Sequence, residues 1–291
     1  MDRSTLRAPA SLGALTLALA ACVTPGGMTD PTTSPSPVDP DSVVFRVEVS
    51  GGFLPVGYLL TELPVFTLYA DGRIVTQGPV AEIYPGPLLP NLQVRTVSSA
   101  DIDAIVEAAR EAGLDGPDAS YDVTNIADAA TTIFTLVLDG EVHRISAYSL
   151  FEDPFTDASI DEETRAARAR LLELQRQLGD LETLLGHPVP VEEPFVADAA
   201  RLFVREQVDD PDPSLPSQVL PWPASLDPDE GLPVGYDDTF RCLLVEGSEH
   251  ADLLPVLRTA NALTVWELGD QRYALLVRPL LPDESGCPET D

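Results

Sequence analysis

The sequence predicts an α+β fold, with antiparallel hairpins and packed helices in two similar strand–helix–hairpin halves joined by a long helix. Three observations carry this expectation. The turn dipeptides Asp71-Gly72, Asp139-Gly140 and Gly269-Asp270 each separate runs rich in β-branched and aromatic residues. Two stretches with a helical apolar period begin at a polar capping pattern and stop at glycine. The order strand, helix, hairpin then occurs twice along the chain.

The elements follow in order. A first strand is expected over Val43–Ser50. The hairpins pair Val65–Ala70 with Arg73–Gln77, Thr131–Leu138 with Glu141–Tyr148, and Thr264–Leu268 with Gln271–Arg278. Their two-residue turns need positive φ, which Gly adopts without steric cost and Asp tolerates. In the third hairpin this register sets Trp266 opposite Tyr273 as core packing and Glu267 opposite Arg272 as a solvated ion pair. One helix runs from Ser99 to about Ala112, with Gly113 as its stop. A longer one starts at Ser159-Ile160-Asp161-Glu162 and ends at Gly186, just before Pro188. Its seam of Ala167, Leu171, Leu174, Leu178, Leu181 and Leu185 is expected to pack on its own sheet, with dimerisation as the alternative.

A weak internal echo relates the two halves. Leu92–Val97, the helix from Ser99 and the hairpin 131–148 repeat as Phe240–Val245, a helix from Ser248 to about Thr259 and the hairpin 264–278. Setting Ser99 on Ser248 aligns Asp103 with Asp252, Ile105 with Leu254 and Leu114 with Leu263. The boundary falls near His187-Pro188-Val189-Pro190, dividing 43–188 from 189–291. The pentapeptide LPVGY, at 54–58 and 232–236, recurs at an offset of 178 residues against 149 for the echo. It therefore reads as a bend beside a strand, reached twice independently.

Charge narrows the partners. The chain carries 48 acidic residues against 17 basic ones, for a formal net charge of −31, and all 17 are Arg. Nucleic-acid binding draws on cations that displace counterions from phosphates, so this balance argues against it. It also disfavours docking on an anionic lipid surface through charge. The absence of Lys excludes a Walker-type phosphate loop and a Schiff-base lysine.

The N-terminus is the most informative segment. Arg3 and Arg7 precede an apolar run from Leu12 to Ala21, too short for a stable span and preceded by charge, as in an export signal over residues 1–21. The run closes on Leu19-Ala20-Ala21-Cys22, which resembles the lipobox of bacterial lipoproteins. That resemblance implies cleavage before Cys22, a diacylglycerol thioether on its sulfur, acyl chains of the palmitate kind, and residence on the outer face of the cytoplasmic membrane. Two acyl chains, at about 0.8 kcal/mol per buried methylene, anchor without help from charge. Residues 22–42 are rich in Pro, Ser, Thr and Asp and read as a disordered tether. Cys242 and Cys287, the remaining pair in an exported chain, read as a disulfide. In general character the chain is also similar to lipoproteins that GC-rich, actinomycete-like bacteria export, a likeness that implies no activity.

No catalytic constellation stands out. His143, His187 and His250 lie in different elements without metal-ligand spacing: His143 as a core-edge residue, His187 at a helix end, His250 exposed in a first helical turn. No Gly-x-Ser-x-Gly elbow occurs. Asp209-Asp210-Pro211-Asp212 and Asp227-Pro228-Asp229-Glu230-Gly231 place carboxylates alternately, but neither completes a calcium loop, and both read as solvated turns. Trp222, between two prolines, reads as a plug under a loop or as an exposed aromatic contact. The expectation is a monomeric, membrane-anchored surface lipoprotein with a non-catalytic ectodomain, without metal or cofactor, that binds or presents a ligand. The alternatives are a carboxylate-dependent hydrolase acting on envelope glycans, and an assembly factor dimerising through the 160–185 helix.

Overall fold

Alternation of buried and open side chains along β1 (Val43–Ser50) starts an eight-stranded sheet in the computed structural model. The structure describes residues 39–123, 126–150, 160–207, 214–215, 217–235 and 237–288, within one contact-linked unit. The expected signal segment, Cys22, the tether up to residue 38, Ser159, Tyr236 and the acidic run 209–212 lie outside the described residues. The chain is α+β, with two mostly antiparallel sheets. After β1 come α1 (Val56–Thr61), β2 (Phe66–Tyr69), β3 (Arg73–Gln77), β4 (Leu92–Thr96), α2 (Ser99–Glu111), β5 (Ala119–Ser120), β6 (Thr131–Leu138) and β7 (Glu141–Tyr148). Then follow α3 (Glu162–Leu178), α4 (Leu181–Leu185) and β8 (Glu193–Pro194). The first sheet has the order β5-β7-β6-β1-β2-β3-β4-β8.

Its register sorts the faces. Val47 lies beside Phe66 and Phe134, and Phe45 beside Leu68 and Leu136, so one face carries a continuous apolar column. Helices α2, α3 and α4 bury this face, with Ile105, Leu171, Leu174, Leu178 and Leu181 all in the same core. The leucine seam is thus covered by its own sheet, with Leu185 half-buried at its end. On the opposite face, Tyr69, Val75 and Leu92 pack against Leu63 and Leu281.

The second sheet comprises β9 (Ala199–Glu206), β10 (Val219–Pro221), β11 (Leu232–Val234), β12 (Asp237–Glu246), β13 (Val265–Leu268) and β14 (Gln271–Pro279), in the order β10-β13-β14-β9-β12-β11. Helix α5 (Gly247–Leu257) covers one face through Leu253 and Leu257, which pack with Leu202, Val245 and Trp266. The other face holds Phe203, Phe240 and Cys242 against Leu60 of α1. Trp266 lies opposite Tyr273 and Glu267 opposite Arg272, as the turn register requires.

Four expectations need correction. Leu68 pairs with Ile74, one step away from a two-residue turn, so Ala70 joins the first loop. Gly72 adopts φ +88° there, and a Cβ would lie 2.4 Å from the Val97 carbonyl oxygen. The long helix is two helices, because Gly179 closes α3 and the Asp180 side chain accepts from Thr183 N to start α4. Both pack on the first sheet. The echo stops at chain order: β6 is the inner strand of its hairpin, whereas β13 is the outer strand of its own. Finally, the two LPVGY copies differ, since Pro55 caps α1 and Leu232–Val234 forms β11. Local propensity is weak enough for tertiary contacts to override it, and both copies end by placing a valine, Val56 or Val234, in one cluster with Phe203.

Candidate ligand-binding site

The elbow between α3 and α4 leaves part of the sheet uncovered. Leu178 and Leu181 are buried on either side of it, but Gly179 and Asp180 turn outward. Between this elbow, the ends of β2, β3 and β4, and the segment 189–192 lies a cavity of about 470 Å³. Its apolar wall includes Val47, Phe66, Leu178 and Leu181. That volume falls within the range of small-molecule sites.

The polar wall is assembled by strand pairing. Ile74 lies beside Arg95, which puts the Arg95 side chain on the helix-covered face. β8 pairs Val94 with Glu193, and continuing that ladder sets Glu192 beside Arg95. The Arg95 guanidinium forms an ion pair with Glu192, and Thr76 Oγ1 donates to the same carboxylate at 3.3 Å. Arg95 Nε is buried without a partner among the described residues. Asp180 accepts from the Thr183 hydroxyl at 2.7 Å and from its backbone N–H, and these bonds hold its pKa below the usual carboxylate range. Glu182 is exposed at the rim and makes no ion pair among the described residues.

A second concavity, about 490 Å³, lies between α1, the first sheet and β14. Tyr58, Thr61 and Glu62 supply its polar edge, while Leu276 and Val277 of β14 and Ala262 of the turn before β13 are apolar. Glu62 is already engaged, accepting from Ser50 Oγ at 2.7 Å. The cavity at the elbow brings together more charge, in one place, over an apolar floor.

The residues singled out from the sequence fall elsewhere. Cys242 and Cys287 are at disulfide distance, with Cα atoms 5.9 Å apart. His143, half-buried, has Nδ1 3.0 Å from the Gly116 carbonyl oxygen. His187 reaches Pro188 O through Nδ1 and Asp101 Oδ1 through Nε2, at 3.0 and 2.8 Å. His250 is buried, not exposed, because α5 turns its first residues onto the second sheet, and burial pushes its pKa down. Trp222 is a plug: it packs on Tyr273 and donates from Nε1 to Leu226 O at 2.9 Å. Asp227 caps a short 3-10 turn by accepting from Asp229 N. Among the described residues no group of three or more His, Cys, Asp or Glu is placed to hold a metal ion. None of their helices is long and apolar enough to cross a membrane.

Arg95, Asp180, Glu182 and Glu192 were not singled out from the sequence. Asp180 and Thr183, three apart after a glycine, form a capping signal that marks the elbow. Glu192 had no such signal, because a two-residue strand ending in proline has no readable period. No family model matches this chain, and no curated protein and no solved structure compared with it gives a significant match.

Proposed function

We propose that this chain is an exported lipoprotein, anchored through Cys22, whose folded part binds a small ligand in the elbow cavity without covalent chemistry. The cavity carries the reading: an apolar floor, convergent polar groups and an open rim in one place. The leader ending in Leu19-Ala20-Ala21-Cys22 supports the anchor, and the Cys242–Cys287 pair fits an oxidising compartment. Glycan hydrolysis through carboxylates calls for one acid held protonated near neutral pH. Among the described residues, the carboxyls whose titration is displaced, Asp101, Asp161, Glu173, Asp180 and Glu284, are all displaced downward.

Ligand-observed NMR with a fragment set spanning cations, neutrals and anions tests the reading. Fragments that bind the full chain carrying Cys22→Ser are expected to lose binding when Val189→Trp fills the cavity. A fragment set that binds equally well to both proteins would contradict it.

A further inference from the structure

The ionic groups lining the elbow cavity are not balanced. One arginine, Arg95, stands against three carboxylates, Asp180, Glu182 and Glu192. Arg95 is committed to Glu192, so its charge is answered within the protein. Asp180 remains an anion, since the bonds from Thr183 that hold its pKa down also stabilise the charged form. Glu182 stands at the rim with no ion pair among the described residues. Arg176 lies near enough to Asp180 to favour its charge, so the carboxylate left without a cation is Glu182, beside an apolar wall of Val47, Phe66, Leu178 and Leu181.

Resting on the proposal that this cavity binds a ligand, we infer that its ligand is an organic cation: a protonated amine on an apolar body. The apolar body covers Phe66 and Leu178, and the ammonium faces Glu182 and Asp180. An anionic ligand meets repulsion from both the rim and a chain of net charge −31. A neutral ligand of the same shape gains the apolar contact but leaves Glu182 unanswered.

The test is isothermal titration of the full chain carrying Cys22→Ser with three probes of matched shape: 2-phenylethylamine, 2-phenylethanol and 3-phenylpropionate. The amine is expected to bind at least tenfold more tightly than the alcohol, and the carboxylate not at all. Glu182→Gln, an exposed change that leaves the core untouched, is expected to weaken the amine about three- to tenfold, and raising the salt from 0.05 to 0.5 M to weaken it further. Val189→Trp is expected to abolish it. If the alcohol or the carboxylate binds as tightly as the amine, and Val189→Trp abolishes that binding, the cationic ligand is overturned while the cavity reading stands. Amine binding that survives Val189→Trp overturns both. No amine binding overturns the inference.

Discussion

Arg168 shows how much a single residue can hold. It is fully buried on α3, where Nη1 donates to Tyr121 O and Tyr148 O at 2.6 and 2.8 Å and Nη2 to Ser149 O at 2.7 Å. Burial pushes its pKa down, opposed by the nearby charge of Asp122. A planar guanidinium satisfies three carbonyls at once, which a lysine ammonium on a flexible stem cannot match. Arg168→Met is therefore expected to destabilise the protein by about 3 kcal/mol, with Arg168→Lys recovering only part of it, as read from urea unfolding. The sequence hid this role. Arg168 sits three positions before Leu171, on the flank of an apolar seam where a long charged side chain ordinarily reaches water. Its partners lie 19 to 47 residues away, beyond any local pattern.

At the scale of elements, legibility followed local constraint. The hairpin at Asp139-Gly140 forms as expected because both turn residues take positive φ, 51° and 84°, which few other residues accept. α2 begins at Ser99 as expected, but its cap is Ser98, one residue before the expected start, with Ser98 and Asp101 bonded reciprocally. What stayed hidden is how elements meet. His187, just past α4, bonds to Asp101 at the start of α2, and so fastens the elbow's far end to that helix. The bonds to the Pro188 carbonyl and to the Asp101 carboxylate raise the His187 pKa. The Ser98 hydroxyl and backbone N–H, and then His187, lower that of Asp101. A histidine whose folded pKa lies above its unfolded value stabilises the fold fully below about pH 6.5. That stabilisation is lost as pH rises through the folded pKa. NMR titration is expected to find His187 above the ordinary histidine value, and Asp101→Asn to bring it down. An unchanged midpoint in Asp101→Asn would break the link between α2 and the elbow.

Across the whole molecule, the segment 281–288 ties the two sheets. Asp283 accepts from Arg46 and from the Tyr69 hydroxyl of the first sheet, at 2.7 and 2.8 Å. Burial, and then the Asp283 charge, push the Tyr69 pKa up. Burial would raise the pKa of Glu284, but its paired bonds from Arg278 of β14 outweigh this and lower it. Arg201 of β9 donates to the Gly286 carbonyl at 2.7 Å, and Cys287 meets Cys242 of β12. A cross-link closing a loop of this length contributes roughly 3–4 kcal/mol. The cysteine pair was legible from count and context, but the arginine clamps that seat the tail were not, because each joins residues distant in the chain. We propose that an N-terminal lipid holds this folded part outside the cell. Intact-mass spectrometry of the mature protein tests that claim most directly. The expected mature chain begins at Cys22 and carries the added mass of a diacylglycerol, absent in Cys22→Ser. An unmodified cysteine, or a mature chain beginning elsewhere, would contradict it.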